Sequence, residues 1–308
     1  MLNMDFSRRV VVDAAGMDWT SSPSGGVLRK PLAREEAERG HATSIVRYQP
    51  GARFQRHEHP LGEEILVLDG TFSDENGDYG PGHYLRNPPG SGHAPFSENG
   101  CTLFVKLHQF HPDDRQTVRL DTRQAPWLPG QGGLEVMPLH QFGSENVALV
   151  KWPAGEVFKP HRHVGGEEIL VLSGEFIDEH GRYPAGSWLR SPHMSTHHPR
   201  VENETVTLRP SYSKPHSEPR TRSPARQACA GIVALRQASV TPQADVSGVP
   251  FGLACGRPWT VFPALDVGQP HRRAGALPRT PTDKLNEALN TKVLVWVKTG
   301  HLPDVVTQ

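Results

Sequence analysis

The chain is poor in several features that would assign it at once. Of its 308 residues only three are cysteine (Cys101, Cys229 and Cys255), an odd count with no CxxC pair. A disulfide framework and a cysteine-rich zinc site are therefore not expected. Net charge is absent too, with 33 basic residues balancing 33 acidic ones. A dedicated nucleic-acid or anionic-membrane binder normally carries a basic excess, so neither partner is expected. No apolar stretch approaches the roughly 20 residues that a membrane helix needs. The opening "MLNMDFSRRVVVDAAGMDW" contains no apolar run of signal-peptide length. A soluble cytoplasmic protein is the expectation. No long stretch of the first two hundred residues shows a 3.6-residue apolar period.

What is present points elsewhere. Glycine (30) and proline (29) are abundant while apolar residues reach only 36%. This suits a turn-rich β protein with a poorly structured segment. The 17 histidines direct attention to metal or acid–base chemistry.

Self-similarity organises the chain. "GARFQRHEHPLGEEILVLDG" (51–70) returns as "GEVFKPHRHVGGEEILVLSG" (155–174), an offset of 161 − 57 = 104. Between 57–86 and 161–190, 18 of 30 aligned positions are identical, which chance does not produce. The expected organisation is an N-terminal extension (1–18), a first domain (19–110), a linker (111–126) and a second domain (127–208). Each copy reads as short strands parted by Gly/Pro turns, an all-β sandwich or small barrel.

The repeated residues carry chemistry. In a strand, residues i and i+2 share a face, so His57 and His59 can point the same way. Glu63 follows one turn later, and His93 lies beyond an intervening hairpin. If that hairpin returns beside the first strand, three imidazoles and a carboxylate converge to within about 4 Å of one another. Such a set suits Zn, Fe(II), Mn, Ni or Cu(II). The second copy offers His161, His163, Glu167 and His197 in the same register, with His198 an alternative to His197. A lone HxH pair is ordinarily a solvated surface pair. Two copies in register, each with a third histidine at the same distance, favour metal ligation.

These motifs resemble the cupin superfamily, and more narrowly the ChrR-type cupin first known as the C-terminal half of an anti-sigma factor. The cupin pattern is G-x5-H-x-H-x3,4-E-x6-G followed by G-x5-P-x-G-x2-H-x3-N. Gly51, His57, His59, Glu63 and Gly70 fit the first motif, and Gly82, Pro88, Gly90 and His93 fit the second. Gly155, His161, His163, Glu167, Gly174, Gly186, Pro192 and His197 repeat the fit. Ser97, Met194 and Val201 depart from the pattern. The spacing to Gly70 selects Glu63 over Glu64, leaving Glu64 to face the surface or support the site. The resemblance implies two tandem jelly-roll barrels, each holding one divalent transition metal, with Zn or Fe(II) expected first.

By the same resemblance, Fe(II) sites of this kind activate O2 to cleave dicarbonyl or aromatic ketone substrates. The alternative is a metal-dependent small-ligand or oxidative-stress sensing module without catalysis, or a purely structural metal. Candidate pocket residues are Tyr48, Phe54, Tyr84 and Arg86 in the first copy, and Trp152, Phe158, Trp188 and Arg190 in the second. Their plainer reading is barrel core, with Arg86 and Arg190 paired to Asp74 and Asp178. The expected partner is a small molecule, in a monomer of pseudo-twofold barrels or a homodimer. ChrR-type anti-sigma factors also carry an N-terminal zinc module with cysteine ligands. No cysteine precedes Cys101, so sigma-factor binding is not carried over.

Residues 209–290 match neither copy and are Pro/Arg/Ser-rich, the composition of an irregular linker or insertion. The run "KVLVWVKT" near the end resembles "TLFVKLHQF" at 102–110. It suggests that residues 291–308 return as the closing strand of the second barrel.

Overall fold

A computed structural model describes residues 1–36 and 39–211. All regular secondary structure among these residues is β, and no helix there is long and apolar enough to cross a membrane. Two seven-stranded antiparallel sheets dominate. The first runs Val118–Asp121, His83–Asn87, Glu63–Gly70, Cys101–Leu107, Ala42–Tyr48, Val27–Arg34, Thr20–Ser21 from edge to edge. The second runs Val10–Asp13, Ser187–Ser191, Glu167–Ser173, Thr205–Ser211, Glu145–Trp152, Glu135–Phe142, Leu128–Pro129. Short strands close each barrel, among them His57–His59 paired with Ser91–His93, and His161–His163 paired with Ser195–His197.

Three apolar layers explain the run "EEILVL". Ile65 and Val67 enter the first barrel beside Phe72, Leu85 and Leu103. Ile169 and Val171 enter the second beside Trp152, Phe176 and Leu189. Leu66 and Leu170 face the opposite way, into a core between the barrels. A strand buried on both faces reads as a continuous apolar run instead of alternating. Arg86, Glu64 and Lys106 lie on the same outer side as Leu66 and Phe104. Lys106 Nζ meets Glu168 Oε2 across the barrels at 2.7 Å. Arg86 reaches Asp114 and Glu145 at 2.9 Å and Glu64 at 3.2 Å, and stacks on Phe110. Glu64 is therefore buried and ion-paired, not a surface carboxylate, and Arg86 is not bound to Asp74.

Three boundaries expected from sequence are revised. Segment 1–18 is not an extension outside the domains: Val10–Asp13 pairs with Ser187–Ser191 at the edge of the second barrel's sheet. Segment 111–126 is not only a linker, because Val118–Asp121 pairs with His83–Asn87 of the first barrel. The two repeats thus exchange their leading strands. Each exchanged strand has four residues, too short to show a period, yet Val10, Val12, Val118 and Leu120 all pack on the inter-barrel core.

The third revision concerns the closing strand. Thr205–Ser211 lies between Glu145–Trp152 and Glu167–Ser173, as Cys101–Leu107 lies between Ala42–Tyr48 and Glu63–Gly70. The offset of 104 persists, since Cys101 faces Tyr48 and Thr205 faces Trp152. Thr205–Ser211 thus fills the position expected for the closing strand at 291–308. Pro210 masks this strand in the sequence. On the Glu167–Ser173 side the ladder passes over Arg209 and Pro210, where a missing proline N–H is tolerated. Residues 212–290 and the expected strand at 291–308 lie outside the described residues.

Gly70 and Gly174 show why the motif needs glycine. Both have positive φ (72° and 74°), and a Cβ would strike the carbonyl oxygen of Gly100 or Glu204. Met194 keeps φ at 63° where the first repeat has Gly90 at 82°. A non-glycine residue held there stores roughly 1–3 kcal/mol of backbone strain.

Candidate metal centres

Each histidine pair sits on a three-residue strand whose i, i+2 members point inward. The strand carrying the third histidine pairs with it so that His93 faces His57, and His197 faces His161. In both barrels one donor nitrogen from each of the three histidines lies within 4.8 Å of the others, an arrangement able to hold a metal ion. Glu63 Oε2 stands 3.4 Å from both His59 Nε2 and His93 Nε2. Glu167 Oε2 stands 3.3 Å from His163 Nε2 and 3.7 Å from His197 Nε2. His197 takes the inward position, while the His198 backbone N–H donates to Glu179.

The donor atoms fit a cation. His59 Nε2, His93 Nε2 and Glu167 Oε2 are buried and have no hydrogen-bond partner. A buried polar atom left unpaired costs about 1–3 kcal/mol, and a bound ion would remove that penalty. Partners on the far side of the rings orient them. His57 Nδ1 meets Gln55 O at 3.0 Å, and His161 Nδ1 meets Lys159 O at 3.0 Å. His93 Nδ1 meets Asp74 Oδ2 at 3.1 Å. A ring whose Nδ1–H is engaged in this way presents Nε2 as a lone pair, as metal-bound histidines do. Burial lowers the pKa of His59 and lowers that of His161 to about 3. At His93 burial is the largest influence and disfavours the charged form, but the bond to Asp74 and the negative charges of Glu63, Asp74 and Glu75 together outweigh it and the pKa rises.

Of the pocket candidates, the structure brings only some to the centres. A cavity of about 280 Å³ in the first barrel is lined by Tyr48, Phe54, Val105, His57, His59 and Glu63, among others. Trp152 and Phe158 pack inside the second barrel. Tyr84 and Trp188 belong to the inter-barrel core. Arg86 lies on that same side, and Arg190 reaches Trp188, Phe6 and the Asp5 carbonyl. These four face away from the histidines because strand alternation puts Leu85 and Asn87, or Leu189 and Ser191, inward.

Two residues were missed. Asn87 Nδ2 donates to Glu63 Oε2 at 2.8 Å; its position one step beyond Arg86 placed it on the inner face. Arg209 donates to Glu167 Oε1 and is buried. It occupies the position that Val105 holds in the first barrel, and reading 209 as the start of a linker concealed it. Burial lowers its pKa to about 10, so it remains a cation at neutral pH. The two centres therefore differ: Glu63 is met by a neutral amide and Glu167 by a guanidinium.

Tandem jelly-roll barrels, each closing on a three-histidine cluster, define a duplicated cupin. The chain belongs to the ChrR cupin-like domain family, which matches it twice, at 7–111 and 115–211. These bounds assign the exchanged strands Val10–Asp13 and Val118–Asp121 to their own repeats. No curated protein matches the chain. Among solved structures it is similar to a "putative dioxygenase" from Nostoc punctiforme, with a TM-score of 0.57 and 16% identity over 68% of this chain and 85% of that one. It is also similar to protein YlbA from E. coli, with a TM-score of 0.55 and 12% identity over 70% and 94%. At these identities the likeness concerns the fold.

Proposed function

We propose that the protein is a metal-dependent enzyme of oxygenase type, and that the first barrel is its reacting centre. The observation that carries this reading is the cavity of about 280 Å³ that includes His57, His59 and Glu63 in its wall. Its volume is near the lower end of small-molecule sites, roughly 300 Å³. Tyr48, Phe54, Ile65 and Leu103 give it an apolar wall, which would exclude water from a bound ligand. Arg29, Arg34 and Arg39 also line it, and suit an electron-rich dicarbonyl or enolate. The description of the Nostoc structure as a "putative dioxygenase" supports the same class. In the second barrel Arg209 replaces the cavity-lining Val105, which favours a supporting role for that centre.

His57, His59, Glu63 and His93 would hold the metal in the first barrel, and His161, His163, Glu167 and His197 in the second. A bound redox metal such as Fe(II) supplies the Lewis acidity and one-electron chemistry that O2 activation needs. Asn87 holds Glu63 in place, and Asp74 fixes the proton of His93 on Nδ1. The test is reconstitution of metal-free protein with Fe(II), Mn(II) or Zn(II), followed by O2 uptake against β-diketones and aromatic ketones. Uptake with a redox metal that disappears in His57→Ala supports the reading. Tight metal binding without uptake for any substrate of either class would overturn it.

A further inference from the structure

The exchanged strands carry more than edge pairing. Val118–Asp121 belongs to the second repeat but lies on the first barrel. From it, Arg119 Nη2 donates to Asn87 Oδ1 at 2.5 Å, and Asn87 Nδ2 donates to Glu63 Oε2 at 2.8 Å. Arg119 Nε also reaches Tyr79 Oη at 3.2 Å. Tyr79 Oη in turn stands 3.4 Å from Asp74, the carboxylate that holds His93. One guanidinium thus touches the support of both the carboxylate and a histidine of the first cluster.

The mirror arrangement exists in the other barrel. Arg9 precedes the exchanged strand Val10–Asp13 of the first repeat. Its Nη2 donates to Asp178 Oδ2 at 2.8 Å and to Tyr183 Oη at 2.6 Å. Asp178 Oδ2 lies 3.8 Å from His197 Nδ1. Tyr183 is the counterpart of Tyr79, and Asp178 that of Asp74, at the same offset of 104. The arginines themselves are not counterparts. Val10 faces Arg190 as Val118 faces Arg86, so Arg119 matches Val11 and Arg9 matches Thr117. The repeats therefore reach the same tyrosine hydroxyl from different strand positions. Copying of one ancestral contact does not explain that; a requirement for a cation at this place does.

We propose that Arg119 and Arg9 are positioning residues, each ordering the metal ligands of the opposite repeat, so that neither repeat completes its own centre. This rests on the metal-binding part of the function proposed above, and not on the oxygen chemistry. Arg119 anchors Asn87 so that its amide N–H is aimed at Glu63, where a free amide could rotate. Arg9 sets which oxygen of Asp178 faces His197.

The test uses the full-length chain in two single-centre backgrounds. His161→Ala leaves the first centre and His57→Ala leaves the second. Each is titrated with Co(II), followed by its visible ligand-field bands. Arg119→Met should weaken the first centre by about 10–100-fold, the range for loss of a partner that orients a ligand, and should alter its band pattern. Arg9→Met should do the same at the second centre alone. Arg119→Lys, which keeps the charge but not the fork, should recover part of the loss and guards against a misfolded methionine variant. Thermal unfolding of each metal-free variant reports the fold separately. A first centre that stays within twofold in Arg119→Met overturns the proposal. So does an equal loss at both centres, which would indicate general destabilisation. Absence of Co(II) binding in the unsubstituted chain overturns the metal reading itself. Co(II) binding with the expected pattern but no O2 uptake upholds the positioning role and removes only the oxygenase reading.

Discussion

Lys106→Met would test how strongly the two barrels are tied. The Lys106–Glu168 pair spans the barrels at 2.7 Å with side chains 1% and 3% exposed. Burial alone would raise the pKa of Glu168, but the attraction and hydrogen bond of Lys106, with smaller contributions from His41 and Arg190, outweigh it and hold the carboxyl below its usual range. Methionine keeps the stem and removes the charge, which leaves Glu168 buried with no close ammonium. Breaking one side of a buried pair costs about 3–5 kcal/mol. At about 2–4 °C per kcal/mol for a folded region of this size, the midpoint should fall by about 6–20 °C. The sign with pH follows from the depressed carboxyl. The pair stabilises the fold above the ordinary glutamate pKa, and that contribution is lost as pH falls through the lower folded value. In Lys106→Met the buried carboxyl keeps only the weaker influence of His41 and Arg190 and protonates more readily, so the gap to the parent should narrow from pH 7 towards pH 4. The double substitution Lys106→Met/Glu168→Met should recover most of the loss, because an apolar pair of similar volume avoids the desolvation penalty. Calorimetry at both pH values reads all of this. A single-variant loss under about 1 kcal/mol, or a double variant no better than the sum of the singles, would refute the reasoning.

Further perturbations separate the parts of the molecule. His57→Ala should remove one equivalent of bound metal and leave the second, measured by elemental analysis; loss of both would deny independent centres. Trp188→Ala, at a fully buried inter-barrel site, should lower stability by about 3–5 kcal/mol, read by denaturant unfolding. Its first-centre Co(II) bands should stay unchanged, since Trp188 faces away from both clusters. Arg209→Val should destabilise the metal-free protein by about 3–5 kcal/mol by stranding the Glu167 carboxylate. Added metal should restore a larger share of stability than in the parent, visible as a greater metal-induced rise in Tm.

The two copies and the eight candidate ligands were legible in the sequence because each signal there is local. HxH needs only the two-residue period of a strand, and the Gly70 and Gly174 spacing reflects a backbone crossing that a Cβ would block. The pairing His93 with His57 required the hairpin to return, and an in-register second copy made that return readable. Pocket residues were legible by halves. Tyr48 and Phe54 line the cavity, while Tyr84, Arg86, Trp188 and Arg190 lie on the other side of their sheets. Alternation along a strand fixes which residues share a face, but in a sheet buried on both sides it cannot say which face looks inward.

The sequence by itself determined the duplication, the β character and the clustering of imidazoles, all of which follow from short-range spacing and backbone sterics. Tertiary structure decided the rest. Which barrel receives each leading strand depends on where Val10, Val12, Val118 and Leu120 find an apolar layer, and that layer exists only once both barrels are formed. Whether Glu63 meets an amide and Glu167 a guanidinium depends on strands far apart in the chain. Arg119 and Arg9 reach the opposite repeat for the same reason: the strand exchange is a property of the packed pair, and no single segment encodes it.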